Sequence, residues 1–300
     1  MNASIKFSAG ASAKLTLAPQ ITPAKSGEVF NIGSGFKALA FRDENFTGAM
    51  DPLVMVDHYR MSEPTFGAHP HAGLSAVSVL FEDSEGAFHN RDSLGNDVEL
   101  MPGDLYWLKA GSGVIHDESP RKGAKIHGLQ VFVNLPSKER KSAPKSIHVK
   151  AENMPIFESN GSRVRIVLGD SNGMMAQQSP VLPMTILDGY IDSNSFYSHQ
   201  VKEEKSAWIY AVKGELIVMI GGRKVHLSSG QATSISKVLF TTDSEIHLFN
   251  PKDQTAHFVL FSAKPINETY VQKGPFIMST EAEIAQVEAD FAAGKFGRLE

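Results

Sequence analysis

The chain has 300 residues, of which 29 are Lys or Arg and 33 are Asp or Glu, and its formal net charge is -4. This near balance gives no general electrostatic reason to expect direct nucleic-acid binding. The sequence contains no cysteine, which excludes disulfides, thiolate zinc sites and cysteine nucleophiles, so any metal must be bound by histidine and oxygen ligands.

The first twenty residues carry Lys6 and Lys14 but lack the apolar core of roughly 7 to 15 residues that a secretory signal needs. No later segment approaches the ~20 consecutive apolar residues of a membrane-spanning helix. We therefore expect a cytoplasmic protein that has no membrane partner.

Most of the chain consists of short apolar or alternating runs that are separated by turn signals about every ten residues, the pattern of an all-β barrel or sandwich. Such runs occupy residues 76–80, 129–133, 208–212 and 258–261. Turn signals such as Ser-Leu-Gly-Asn at 93–96 and Pro-Gly-Asp at 102–104 lie between them.

The first candidate site residues are His69 and His71, which flank Pro70. Residues at i and i+2 of an extended strand point to the same face, so two imidazoles from one strand can meet one metal ion. Proline donates no hydrogen bond to a neighbouring strand, so this strand is expected at a sheet edge or a barrel mouth.

The second candidate pair is His116 and Glu118, again at i and i+2. Three neutral imidazoles and one carboxylate suit Fe, Mn, Ni, Cu or Zn rather than Ca or Mg, and an octahedral ion would keep two positions free. A single His-x-His is more often structural than a ligand pair, but two such pairs in one barrel-like domain favour a metal site.

A charged segment between two prolines, residues 135–144, is the best candidate for a linker. It predicts an N-terminal domain of residues 1–140 that holds the metal and a C-terminal domain of residues 141–300. No pair of histidines in the second half has ligand spacing, so that half is expected to bind no metal.

The helix signal that stands out is at the C-terminus. Thr280 precedes Glu283 by three residues as in a capping box, and Ile284, Val287 and Phe291 share one face. Together with Gly294 as a terminator, the pattern predicts a helix over about residues 280–293 that packs on a barrel.

The combined motifs identify the chain as resembling the pirin family of the cupin superfamily. The resemblance covers nearly the whole chain and rests on DPLVMVD at 51–57, HPHAG at 69–73, RDSLGN at 91–96, PGD at 102–104, AGSGVIHDE at 110–118, GLQ at 128–130, GPFIMST at 274–280 and GKFG at 294–297.

This resemblance implies an all-β fold of two cupin-type barrels with a single iron in the first. Carried over by position, its ligands would be His69, His71, His116 and Glu118. Many pirins have Arg and Glu where this chain has Ala72 and Ser75, so the surroundings of the metal are expected to differ.

Three functions remain open at this point. The leading hypothesis is a dioxygenase of the quercetin 2,3-dioxygenase type, which uses Fe(II), or Ni, Mn, Cu or Zn, to cleave a small aromatic substrate with O2, and in which Glu118 is the catalytic base. The alternative is a regulatory pirin whose metal state alters its binding to a protein partner. A metal-dependent isomerase acting on a small sugar or acid is a third interpretation.

Overall fold

The structure is a computed structural model, and it describes residues 20–159, 161–202, 204–236 and 244–299. Residues 1–19, to which the expected lack of a secretory signal refers, lie outside this range. Within the described ranges, no helix is both long enough and apolar enough to cross a membrane.

The first half of the chain forms short strands at the alternating runs of the sequence. Their bounds are β1 (Gln20–Ile21), β2 (Lys25–Ser26), β3 (Glu28–Ile32), β4 (Phe36–Arg42), β5 (Leu53–Met61), β6 (His69–His71), β7 (Leu74–Leu80), β8 (Phe88–Asp92), β9 (Asp97–Leu100), β10 (Leu105–Lys109), β11 (Val114–Pro120), β12 (Ile126–Asn134) and β13 (Lys145–Val149).

The second half continues the same pattern and ends in a helix. Its elements are β14 (Ile156–Ser159), β15 (Ser162–Leu168), β16 (Asp170–Ser171), β17 (Met174–Met175), β18 (Met184–Ile191), β19 (Phe196–Val201), β20 (Ser206–Lys213), β21 (Glu215–Ile220), β22 (Arg223–Ser228), β23 (Gln231–Ser236), β24 (Ser244–Phe249), β25 (Ala256–Ala263), β26 (Val271–Lys273), β27 (Phe276–Met278) and α1 (Glu281–Ala292). Single 3-10 turns span Asp43–Phe46, Ser137–Glu139 and Ala151–Asn153.

The N-terminal barrel is built from a large sheet in the order β13-β10-β7-β12-β5-β4-β3 and a smaller sheet in the order β6-β11-β8-β9. Apolar residues of both sheets, among them Phe36, Leu80 and Phe88, form one buried cluster inside the barrel. The C-terminal barrel repeats this plan with β1-β23-β20-β25-β18-β15-β14 and β19-β24-β21-β22.

The two large sheets pack against each other. Val77 and Trp107 of the first barrel share a buried cluster with Trp208 and Phe261 of the second. Strands buried on both faces lose the polar alternation of a half-exposed strand, and this explains the continuous apolar runs in the sequence. The all-β class with two barrels is therefore confirmed.

Each large sheet takes edge strands from the other half of the chain. Strands β1 and β2 pair with β23, and β13, which follows the expected linker, pairs with β10. The domain division at residue 140 stays a prediction. Strands β1 and β2, which precede it, belong to the large sheet of the C-terminal barrel, and β13, which follows it, belongs to the large sheet of the N-terminal barrel.

The short C-terminal helix is confirmed as Glu281–Ala292. The Thr280 hydroxyl accepts a hydrogen bond from the Glu283 N–H at 3.2 Å, and Gly294 follows with a φ of 74°. Ile284 and Val287 are buried in a cluster with Ala72 of the N-terminal barrel. The tail of the second half therefore returns to the first barrel and packs beside β6.

Candidate metal centre

Strand β6 carries the first two candidate ligands, and the smaller sheet of the N-terminal barrel ends with it. Pro70 pairs with Ile115 of β11, while His69 and His71 alternate with it along the strand. An edge strand tolerates proline because this residue has no backbone N–H to donate to a neighbouring strand. The strand thus lies at an edge, as the sequence predicts, and aims two imidazoles at one point.

The register of β6 against β11 places the third histidine. His116 lies directly opposite His69, and its Nε2 is 3.0 Å from Nε2 of His69 and 3.0 Å from Nε2 of His71. The ligand nitrogens of these three residues all lie within 4.8 Å of one another. Three side chains from two adjacent strands therefore converge on one position.

The donor set fits a cation at this position. Nδ1 of His69 is 2.8 Å from the carbonyl oxygen of Gly67, which only accepts, so Nδ1 carries the hydrogen and Nε2 of the neutral ring presents a lone pair. Neutral imidazole nitrogens are ligands for divalent transition metals, and the three nitrogens lie within 4.8 Å of one another, so the three histidines are able to bind a metal.

Burial keeps two of these imidazoles neutral. It lowers the pKa of His71 to about 3, with His69 adding to the effect and the backbone of Pro275 opposing it. Burial also holds the pKa of His116 well below its usual range, again with the help of the neighbouring histidines. Neutral imidazole is the form that coordinates metals, so no proton has to leave these rings on binding.

Glu118 lies two residues after His116 on β11 but is held differently. Its Oε1 accepts hydrogen bonds from the Ser78 hydroxyl at 2.5 Å and from the Asn90 amide at 2.8 Å. Burial raises the pKa of Glu118 to about 7, while the hydrogen bond from Ser78 acts in the opposite direction. The carboxylate is not among the ligand atoms that lie within 4.8 Å of one another, so its role as a fourth ligand stays a prediction.

A cavity of about 340 Å³ opens beside the histidines. Its walls are mostly aromatic or apolar, with a few polar side chains. The lining residues are Phe30, Phe36, Met55, Asp57, Tyr59, Met61, Phe66, His69, His71, Phe88, Glu118, Gln130, Phe132, Gly274 and Pro275.

Three polar residues of this cavity were missed from the sequence: Asp57, Tyr59 and Gln130. Asp57 and Tyr59 alternate along β5, and Gln130 lies opposite Asp57 on β12. The i, i+2 spacing of Asp57 and Tyr59 would have placed them on one face, but nothing in the sequence shows that this face lines the cavity. Asp57 is already paired with Arg42, whose Nη1 lies 2.6 Å from its Oδ1.

Ser75, one of the two departures from the family pattern, is fully buried on β7. It alternates with Ala76 and lies on the same side of the strand as Val77 and Val79, which pack in the cluster between the barrels. Ser78, which bonds Glu118, lies on the opposite side. The structure therefore turns position 75 away from the ligand histidines.

Histidines of the second barrel form other contacts. His199 is buried, and its Nδ1 lies 2.8 Å from the Ser171 hydroxyl. In the described part of the chain, the group of His, Asp and Glu atoms close enough to share an ion comprises His69, His71 and His116. That the second barrel binds no metal stays a prediction.

Comparisons with known proteins agree with this architecture. Residues 35–133 match the family model for pirin, and residues 186–297 match the model for the pirin C-terminal cupin domain. A pirin-like protein from Solanum lycopersicum is 32% identical over 83% of this chain and 82% of its own length. Pirin from Homo sapiens is 30% identical over 83% of each chain.

Solved structures share the fold. Quercetin 2,3-dioxygenase from Acinetobacter baumannii superposes with a TM-score of 0.81 at 24% identity, covering 94% of this chain and 99% of its own. The bacterial pirin YhhW from Escherichia coli, in complex with nickel(II), gives a TM-score of 0.61 at 21% identity over 82% of this chain and 99% of its own.

Proposed function

The chain belongs to the pirin family, and we propose that it is a metal-dependent dioxygenase of the quercetin 2,3-dioxygenase type, which cleaves a flavonol-like substrate with O2. The observation that carries the proposal is the group of three histidines, two of which line a largely aromatic cavity. One structural neighbour is itself a quercetin 2,3-dioxygenase.

The cavity suits a flat aromatic substrate. Its volume of about 340 Å³ falls within the usual range of small-molecule sites. Phe132 packs edge-on against His71, with ring centroids 5.1 Å apart, and Phe66 lies 6.4 Å from His69. Aromatic walls beside the ligand histidines exclude water and offer ring faces to a planar molecule.

His69, His71 and His116 would hold the metal ion. Three imidazole nitrogens suit a divalent transition metal, and we assign Fe(II) as the first choice, with Ni, Mn, Cu and Zn as alternatives. Such an ion would supply Lewis acidity and open coordination positions for the substrate and O2.

Glu118 would be the base that accepts the hydroxyl proton of the flavonol. Ser78 and Asn90 both bond Oε1, so they fix the orientation of the carboxylate and leave Oε2 to receive the proton. The residue also lines the cavity, which supports this role. Asp57 is a weaker candidate because its carboxylate is neutralised by Arg42.

An aerobic assay tests this proposal directly. Iron- or nickel-loaded protein should consume quercetin and O2 together, with loss of the flavonol absorption band. His71→Ala removes one ligand and should abolish both turnover and tight metal binding. His226→Ala, which removes an exposed histidine of the second barrel, is the matched control and should leave both unchanged.

The regulatory interpretation predicts a different result. The metallated protein would then turn over flavonol no faster than the free metal ion does, while its metal state would change its affinity for a cellular protein. That result would replace the dioxygenase hypothesis with the regulatory one. In that case His71→Ala would still remove the metal, and the substitution would change binding to the partner protein.

A further inference from the structure

Phe66 is an aromatic residue of the cavity wall, in the segment that joins β5 to β6. It lines the cavity and is itself 49% exposed, whereas Phe36, Tyr59 and Phe88 of the same lining are buried. The ring of Phe66 packs edge-on against Phe36, with centroids 5.0 Å apart. Because Phe66 belongs both to the cavity wall and to the exposed surface, it lies where the cavity opens to solvent.

The local backbone fixes this ring relative to the candidate metal centre. Phe66 precedes His69 by three residues, and the two ring centroids are 6.4 Å apart. The carbonyl oxygen of Gly67, the next residue, accepts a hydrogen bond from Nδ1 of His69 at 2.8 Å. At the start of the segment, the N–H of Ser62 donates to the carbonyl oxygen of Gly35 at 2.9 Å. The segment is thus held at both ends, with Phe66 beside a candidate ligand.

Contacts within the protein bury only part of the Phe66 side chain. Removing more of its apolar surface from water is favourable, and a ligand in the cavity can do so because Phe66 forms part of the wall. Aromatic rings gain further from stacked or edge-to-face contact with another ring, beyond the area that they bury. A flat aromatic ligand uses both effects, whereas a small sugar or carboxylic acid has no ring face to offer.

We infer that Phe66 is a specificity-determining residue, whose ring packs against an aromatic ring of a ligand bound beside the histidines and so selects planar aromatic ligands over non-planar ones. The inference rests on the proposed function for the choice of ligand, but it concerns binding and does not require turnover.

Equilibrium titration of nickel-loaded protein with quercetin under argon tests this, because binding is then measured without oxygenation. Phe66→Ala should weaken the Kd about threefold to tenfold, the value of burying half of a phenylalanine side chain. Phe66→Tyr keeps the ring and should bind within about twofold of the wild type. Phe196→Ala is the matched control, since Phe196 lies on β19 of the second barrel and is also 49% exposed. It should leave the Kd unchanged.

Taxifolin supplies the test of specificity, because it carries the hydroxyl groups of quercetin on a saturated, non-planar central ring. Phe66→Leu keeps an apolar side chain but removes the ring face. It should weaken the binding of quercetin about twofold to tenfold and the binding of taxifolin less. Equal losses for the two ligands would show that Phe66 does not recognise planarity and would overturn the inference.

The nickel affinity of the same variants separates ligand recognition from a structural role. Phe66→Ala should bind nickel as tightly as the wild type, because the hydrogen bond between Gly67 and His69 uses a backbone carbonyl that the substitution keeps. If Phe66 only held the segment in place, Phe66→Ala would instead bind nickel more weakly, and once saturated with nickel it would bind quercetin as the wild type does.

The outcomes separate this inference from the proposed function. Weaker quercetin binding by nickel-saturated Phe66→Ala supports the inference even if the wild type has no dioxygenase activity. Equal binding by Phe66→Ala and the wild type overturns the inference even if quercetin is turned over. If the wild type binds neither quercetin nor simpler hydroxylated aromatics such as 2-naphthol, both proposals fail.

Discussion

The phenol oxygen of Tyr210, in the C-terminal barrel, lies 2.5 Å from Nδ1 of His58, in the N-terminal barrel. Nε2 of His58 is 2.7 Å from Nε2 of His127, and Nδ1 of His127 is 2.6 Å from the Asp83 carboxylate. The carboxylate accepts, so with neutral rings His127 donates through Nδ1, His58 donates through Nε2 and Tyr210 donates to His58. This series of hydrogen bonds joins the two barrels. Because Asp83 at its end can only accept, the donor in each of the three hydrogen bonds is determined.

Tyr210→Phe should lower the free energy of unfolding by about 1–3 kcal/mol, because it leaves Nδ1 of His58 without its donor inside the interface. Urea denaturation measures the loss. In a His58→Leu background the same substitution should cost much less, since the acceptor is already absent. Equal costs in the two backgrounds would show that the hydrogen bond contributes nothing.

The stability of the protein should fall as the pH drops from about 6.5 towards about 3. Burial lowers the pKa of His58 to about 3, with His127 adding to the effect, so in this interval the unfolded chain binds a proton that the folded chain refuses. The slope contributed by His58 is at most about 1.4 kcal/mol per pH unit and vanishes above pH ~6.5. Unfolding measured across this range should give a shallower slope for His58→Leu, and parallel curves would contradict the assignment.

Gly73→Ala should displace the C-terminal tail from the metal-binding strand. Gly73 has a φ of 73°, and an added Cβ would lie 1.6 Å from the carbonyl oxygen of Ile277 in β27. An alanine at this left-handed position carries a conformational cost, and its Cβ also forces β27 away. We therefore expect the free energy of unfolding to fall by a further amount on the order of 2 kcal/mol beyond the conformational cost. Faster proteolysis of residues after 270 should accompany it.

Gly48→Ala is the matched control for this substitution. Gly48 has a similar φ of 80°, but an added Cβ would meet nothing within 4 Å. Gly48→Ala should lower the free energy of unfolding only by the conformational cost of about 1–2 kcal/mol, and the C-terminal tail should stay protected from proteolysis. Equal losses for the two variants would mean that the contact with Ile277 is not important.

Glu118→Gln should reduce quercetin turnover by roughly 100-fold or more, the usual contribution of a general base, while metal occupancy falls less. The amide keeps the shape of the side chain and can still contact Ser78 and Asn90. Steady-state kinetics and metal analysis on the same preparation separate the two effects. If metal occupancy falls as much as turnover does, Glu118 acts mainly as a ligand.

Metal analysis of the purified protein should give at most one tightly bound ion per chain. The ligand group of His69, His71 and His116 accounts for that ion. His116→Ala should remove it, because Nε2 of His116 is close to both of the other nitrogens. Two equivalents that are both lost on chelation would point to a further site in the second barrel.

Local patterns in the sequence determined the strands, the terminal helix and the first pair of candidate ligands. Alternation with period two defines which residues share a strand face, so His69 and His71 could be paired without a structure. The capping residues Thr280 and Glu283 similarly marked the start of the helix. These features depend on neighbours a few residues away, and the sequence contains that information directly.

Only the tertiary structure decided how distant segments meet. The register that sets His116 opposite His69, the return of the tail to the first barrel, and the contact between Tyr210 and His58 all join residues far apart in the chain. Tyr59 belongs with them, because a strand has two faces and only the packing of the whole barrel shows which one lines the cavity. Alternation specifies a face, and long-range packing determines what that face contacts.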